Sequence, residues 1–217
     1  MKTDFKRIVD QFNFEGNFSE AEPYGVGHIN DTYLAVFAIN GSSRRYILQR
    51  INHYVFQDPP GLMSNIEAVT SHLRQKISST GGDPERETLT LIPTIDGNLF
   101  IHTDQGEYWR AYQFINNART YEAIENLDHV YHAAAAFGNF QKLLSDYPSK
   151  NLIETIPDFH NTKKRFDAFS ESVEKDVLNR GLCSKNEIEF VMQRVNDTSL
   201  LVEKLENGEL PERITHN

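Results

Sequence analysis

The chain has 217 residues, 39 % of them hydrophobic and 24 % charged, and 31 acidic side chains against 22 basic ones give a formal charge of −9. That length permits one sizeable core or two small lobes. The acidic balance opposes general nucleic-acid binding, which calls for a basic face, but leaves nucleotide binding open, because a local arginine and backbone amides suffice to hold phosphates. No apolar run approaches the ~20 residues of a membrane span. The opening Met-Lys-Thr-Asp-Phe-Lys-Arg leads into no apolar stretch of the secretory kind, so a cytoplasmic location is expected. The single cysteine, Cys183, has no neighbouring ligands for a zinc knuckle and reads as an incidental helix residue.

In chain order, Phe5, Ile8, Val9 and Phe12 have helical spacing and predict a short amphipathic lead-in over Phe5 to Phe14. From Ala21 to Arg50 the pattern is a strand, a glycine-bearing turn around Gly25 and Gly27, a second strand, a turn at Asn40-Gly41-Ser42-Ser43, and a third strand ending at Arg50. Because the glycines join strand to strand, they do not form the strand–glycine–helix fingerprint of dinucleotide binding, and no Gly-Lys-Ser/Thr follows to make a Walker loop. A β-turn of this kind is suited to lie over nucleotide phosphates. The prolines of Asp58-Pro59-Pro60-Gly61 predict a loop, and Leu62 to Ile77 a helix with Met63, Ile66, Val69, Leu73 and Ile77 in one stripe. Strand-like segments follow at Thr88 to Pro93, Asn98 to His102 and Tyr108 to Ile115, with turns at Asp96-Gly97 and Asp104 to Glu107.

Beyond Ile115 the sequence turns helical, with helices predicted over Asp128 to Leu144, from about Lys163, and as one continuous element over Glu187 to Leu205, closed by Asn207-Gly208. The expected architecture is α+β: an antiparallel five-stranded sheet with an inserted helix over 1–115, then a helical part over 116–217.

On the third strand, alternation puts Leu48 and Arg50 on one face, an apolar surface for adenine beside a cation for phosphate. Glu67, on the next helix, is the candidate carboxylate partner for Arg50. Gln113, Phe114 and Ile115 end the last strand where backbone groups are well placed to meet a purine.

These segments carry a resemblance. Tyr24-Gly25-Val26-Gly27-His28-Ile29-Asn30-Asp31-Thr32-Tyr33, Tyr46 to Asn52, Asn65-Ile66-Glu67, Trp109 to Ile115, Ala136 to Gln141 and Ile156 to Thr162 together resemble the aminoglycoside-phosphotransferase and choline-kinase superfamily, and within it most closely the N-acetylhexosamine 1-kinases. The resemblance covers essentially the whole chain and implies a protein-kinase-like fold, with 1–115 the nucleotide-binding lobe and 116–217 part of a helical C-terminal lobe. It implies an ATP- and Mg²⁺-dependent transfer of a phosphoryl group to the anomeric hydroxyl of an N-acetylhexosamine; an aminoglycoside, choline, homoserine or another sugar is the alternative acceptor, and a non-catalytic nucleotide-binding module the alternative class. It makes Gly25, Gly27, His28 and Asn30 the phosphate-covering turn, Arg50 the cation where most such kinases have lysine, with Gln49 a competing assignment, Glu67 its partner, and Gln113 to Ile115 the adenine hinge. Asp158, His160 and Asn161 fall near the acceptor. Thr215-His216-Asn217 matches the opening of the catalytic loop, whose base would come next, so the chain is expected to be an inactive fragment of a longer kinase with no metal ligands of its own. No partner other than the small-molecule sugar is implied; nothing points to nucleic acid or membrane, and oligomeric state is not legible. Sulfate-ester hydrolysis is excluded by the lack of Cys or Ser followed by x-Pro-x-Arg.

Overall fold

A computed structural model describes residues 4–121 and 123–215; His216 lies outside the described residues. The protein is α+β, with one antiparallel five-stranded sheet and, among the described residues, seven α-helices. By internal contacts the chain divides into two units, Met1–Thr155 with Ile214–Asn217, and Ile156–Arg213. No helix among the described residues is long and apolar enough to cross a membrane.

In the first unit, helix α1 (Phe5–Val9) starts at Asp4, whose carboxylate accepts from the Arg7 N–H. It is shorter than its apolar spacing predicts. Phe12 leaves the helix to bridge Thr94, and the Asn13 N–H donates to the Pro93 carbonyl at 2.8 Å, so tertiary pairing ends the helix. Strands β1 (Asn17–Pro23), β2 (Asp31–Ile39) and β3 (Ser42–Ile51) form a meander. The β2–β3 turn is Asn40-Gly41 alone, both at positive φ (45° and 80°), the combination a two-residue hairpin with right-handed strand twist requires.

Helix α2 (Pro59–Ser79) follows. The prolines expected to stop structure instead open the helix: they occupy its first positions, where a missing N–H costs nothing. The Asp58 side chain accepts from the Gly61 N–H at 3.0 Å. After the short α3 (Pro84–Glu87), the expected strand over Thr88 to Pro93 reduces to one bridge, Leu91 with Tyr112, and two flanking bonds, Ile92 N–H to Ala111 and Gln113 N–H to Thr90. This segment shares with β4 (Ile101–His102) the outer edge of β5 (Tyr108–Gln113), giving the order β1-β2-β3-β5-β4.

One sheet face packs on α1. Ala35, Phe37, Tyr46, Leu48, Trp109 and Ala111 bury there against Ile8, Val9 and Phe12. A second small core joins Leu73 and Ile77 of α2 to Leu144, just past helix α4 (Leu127–Leu143), with Phe140, Tyr147 and Ile214 around it. Asp146 fastens the same junction, accepting from Lys76 and lying 3.2 Å from His72 Nε2.

The second unit holds α5 (Thr162–Lys175), α6 (Lys185–Met192) and α7 (Leu200–Glu206). The continuous helix expected over Glu187 to Leu205 is broken by a 3₁₀ turn at Val195–Asp197. The polar run Asn196-Asp197-Thr198-Ser199 competes for backbone bonds, and the Thr198 hydroxyl donates to the Val195 carbonyl at 2.7 Å.

Two outcomes test this description. Replacing Asp58 by Ala removes the α2 cap and should cost about 1 kcal/mol, read as a melting temperature about 2–4 °C lower, whereas Asp58→Asn, which can still accept, should melt close to the parent. The Asp146 carboxyl is held below its ordinary 3.8, first by the hydrogen bond from Lys76. A depressed carboxyl stabilises above its unfolded pKa and loses that contribution as pH falls through the lower folded one. Acid titration of the unfolding midpoint should therefore show Asp146→Asn below the parent at neutral pH, and the two curves converging at pH values under 3.8.

Candidate functional site

The β1–β2 connection, residues 24–30, is a solvent-exposed turn in which Gly25 has φ +79° and no atom within 4 Å of where a Cβ would sit. Gly25 thus supplies a backbone conformation that an L-residue adopts only with strain, next to open space. Gly27 also faces open space, without a positive φ, and His28 is exposed beside it. Tyr24, Val26 and Ile29 expose apolar surface on the same turn. Asn30 ties the end of the turn to the end of β3, its Oδ1 accepting from the Asn52 N–H at 2.9 Å.

The pairing expected between Arg50 and Glu67 does not form. Arg50 donates through Nε to Asp31 Oδ2 at 2.8 Å and through Nη1 to Glu107, and the other Glu107 oxygen accepts from the Trp109 indole N–H at 3.0 Å. Asp31 faces Arg50 across β2–β3, and Trp109 faces it across β3–β5, so the network is written into the strand register. Its two carboxylates offset desolvation and raise the Arg50 pKa above its ordinary value. Glu67 is exposed on α2, and its carboxylate has no partner among the described residues. Leu48 does share a face with Arg50, as alternation requires, but it is the face packed on α1. With 0 % exposure, Leu48 has no surface to offer a purine.

The opposite face carries Gln49, the competing assignment for the phosphate-binding position. Thr32, Gln49 and Arg110 stand opposite one another on β2, β3 and β5. The Gln49 amide is buried, at 9 % exposure. Its Oε1 accepts from Arg110 Nε (3.0 Å) and Nη2 (2.7 Å), and its Nε2 donates to the Thr32 hydroxyl at 2.7 Å. A guanidinium only donates, so the amide oxygen must face Arg110, leaving the NH₂ for Thr32. Arg110 Nη1 reaches Met63 Sδ of α2 at 3.8 Å, which fixes this as the α2 side of the sheet. Among the described residues no carboxylate pairs with Arg110, and burial lowers its pKa. Burial likewise raises the neighbouring Tyr112 hydroxyl, an effect that Arg110 opposes. The Trp109 to Ile115 segment contains Arg110 without giving it a role; the signal that finds it is the register that places it beside Gln49.

At the end of β5 the backbone expected to form the hinge is partly committed. The Gln113 N–H donates to Thr90 and the Phe114 N–H to Arg45. The Ile115 N–H has no partner among the described residues. The Phe114 ring lies edge-on to Tyr24 of the glycine turn (centroids 5.6 Å apart), with the Arg45 guanidinium 4.4 Å from its centroid.

In the second unit, Asp158 takes a left-handed conformation (φ 59°) and accepts from Lys164 Nζ at 2.7 Å, while Asn161 caps α5 through the Lys164 N–H. His160 lines a cavity of about 440 Å³ with Phe159, Thr162, Arg165, Phe169 and Thr198 among its other walls. Among the described residues no group of three or more His, Cys, Asp or Glu side chains lies together to hold a metal ion.

No family model matches the chain.

Removing the Asn30 side chain provides a direct check on the tether. In Asn30→Ala the Asn52 amide should exchange with solvent about fivefold faster, as loss of one net hydrogen bond implies, with the core amides of β3 unchanged.

Proposed function

We propose that the sheet-bearing unit binds a nucleoside triphosphate and that the chain belongs to an ATP-dependent small-molecule phosphotransferase of protein-kinase-like fold, with an N-acetylhexosamine as the favoured acceptor. The single observation that carries the reading is the glycine turn. It is exposed, open around Gly25, and joins antiparallel strands in a five-stranded sheet whose inserted helix follows the third strand. Such a turn lets backbone N–H groups approach phosphate oxygens without side-chain obstruction.

The aromatic pair of Tyr24 and Phe114 supports the same reading, since it sets an apolar surface between the turn and the hinge, where the Ile115 N–H is uncommitted among the described residues. ATP supplies the phosphoryl group; this chain's part is to hold it, with the turn over the phosphates and the end of β5 beside the base. Mg²⁺, which is held in such sites by one or two carboxylates together with the phosphate oxygens, would accompany the nucleotide, and no step is assigned to it. For the acceptor, the cavity beside Phe159 and His160 combines aromatic and hydrogen-bonding walls suited to a neutral sugar. Of the three residues expected there, His160 lines it, whereas Asp158 and Asn161 are engaged with Lys164. Nucleotide binding without transfer is the second reading, since the open glycine turn that carries the first serves binding alone.

Competition against a fluorescent ATP analogue tests the proposal. Saturable binding displaced by ATP and ADP, and weakened when Gly25 is replaced by Val, is the expected result. An analogue that fails to bind, or binding indifferent to Gly25, contradicts it.

A further inference from the structure

We infer that Arg110, on β5, is the phosphate-binding cation of this protein, held toward the α2 side of the sheet by Gln49 and Thr32; the inference rests on the nucleotide-binding reading for its ligand class. The two arginines on the neighbouring strands β3 and β5 are built differently. Arg50 is neutralised by Asp31 and Glu107 on the side packed against α1. An anion arriving there would have to displace a carboxylate.

Arg110 is half-buried and bonded only to neutral atoms, the Gln49 amide oxygen and the Met63 sulfur. Those bonds use three of its five N–H groups, and among the described residues the other two have no acceptor. A cation taken out of water without a counter-charge is destabilising, and an incoming anion relieves that cost.

The surroundings favour phosphate oxygens over other anions. A guanidinium with both Nε and Nη2 fixed on one acceptor is a rigid fork rather than a mobile charge, and its remaining donors suit a planar pair of oxyanion oxygens. Two cross-strand bonds, Arg110 to Gln49 and Gln49 to Thr32, link it to β2, the strand that leaves the glycine turn. β5 is two strand spacings from β2, roughly 10 Å, so an elongated polyanion rather than a single phosphate meets both features. Gln49 is therefore a positioning residue: it occupies the third-strand place that faces α2 and aims a cation supplied by its neighbour.

The test is calorimetric titration at fixed ionic strength with inorganic tripolyphosphate, ATP and adenosine, using the parent, Arg110→Gln, Arg110→Lys and Arg50→Gln. The parent should bind tripolyphosphate and ATP. Arg110→Gln should weaken both by about tenfold to a hundredfold, the range for loss of a charge-assisted contact, while adenosine is unaffected. Arg110→Lys should recover part of the loss, and Arg50→Gln should bind like the parent. Tripolyphosphate binding that is absent from the parent, or unchanged in Arg110→Gln, overturns the inference. ATP binding indifferent to Arg110 leaves the nucleotide reading standing without it. Tripolyphosphate binding that needs Arg110 but gains nothing from adenosine does the reverse. To separate binding from folding, Gln49→Leu with Arg110→Met removes the polar pair together. This double variant should melt at or above the parent without ligand and gain no stability from tripolyphosphate, whereas a gain equal to the parent's overturns the assignment.

Discussion

Successive residues of a β-strand face opposite ways, and on β3 that alternation decides which side chains can serve a ligand. Leu48 and Arg50 go to the side that packs on α1; Gln49 goes to the side that meets α2. A one-residue shift of register would exchange Arg50 for Gln49 and expose Leu48, with loss of the core around Trp109. The buried apolar face therefore fixes the chemistry of the other face. It commits Arg50 to closing the end of the sheet and leaves the α2 side with a neutral amide on β3 and a cation one strand over, on β5.

The two guanidiniums show how differently one side-chain type behaves under burial. Around Arg50, two carboxylates and an indole N–H form a half-exposed network, whose net contribution to stability is modest because solvent screens it. Around Arg110 the partners are neutral, and desolvation outweighs everything else acting on its proton equilibrium. Buried polar groups are normally satisfied. A fold that keeps a partly satisfied cation on β5, two strands from the one that leaves the glycine turn, has either accepted instability or reserved a place for an anion.

Much of the first unit was legible in the sequence because its signals are local. Asn40-Gly41 between two β-rich runs makes the β2–β3 hairpin, and the stripe through Met63, Leu73 and Ile77 gives the buried face of α2. Gly25 marks a turn, and the turn is there. Failures came where a local rule met a longer-range competitor. Pro59 and Pro60 look like breakers until Asp58 caps the helix they begin. Thr88 to Pro93 has strand composition but shares its partner's edge with Ile101 and His102. The bond between Arg50 and Glu107, and that between Arg110 and Gln49, join residues 57 and 61 positions apart, separations that no periodicity encodes. Helices α4 to α7 contain no fully buried residue, so composition could propose them but packing gave little to check them against.

The account stands on an anion meeting the α2 side of the sheet rather than the α1 side. Selective observation of the arginine Nε–Hε resonances during titration with ATP tests this most directly, because Arg110 and Arg50 report on opposite faces of the same three strands. A shift of the Arg110 resonance that saturates with ATP while Arg50 stays fixed is the predicted result. Movement of Arg50 with Arg110 unchanged would place the ligand on the wrong face and contradict the assignment.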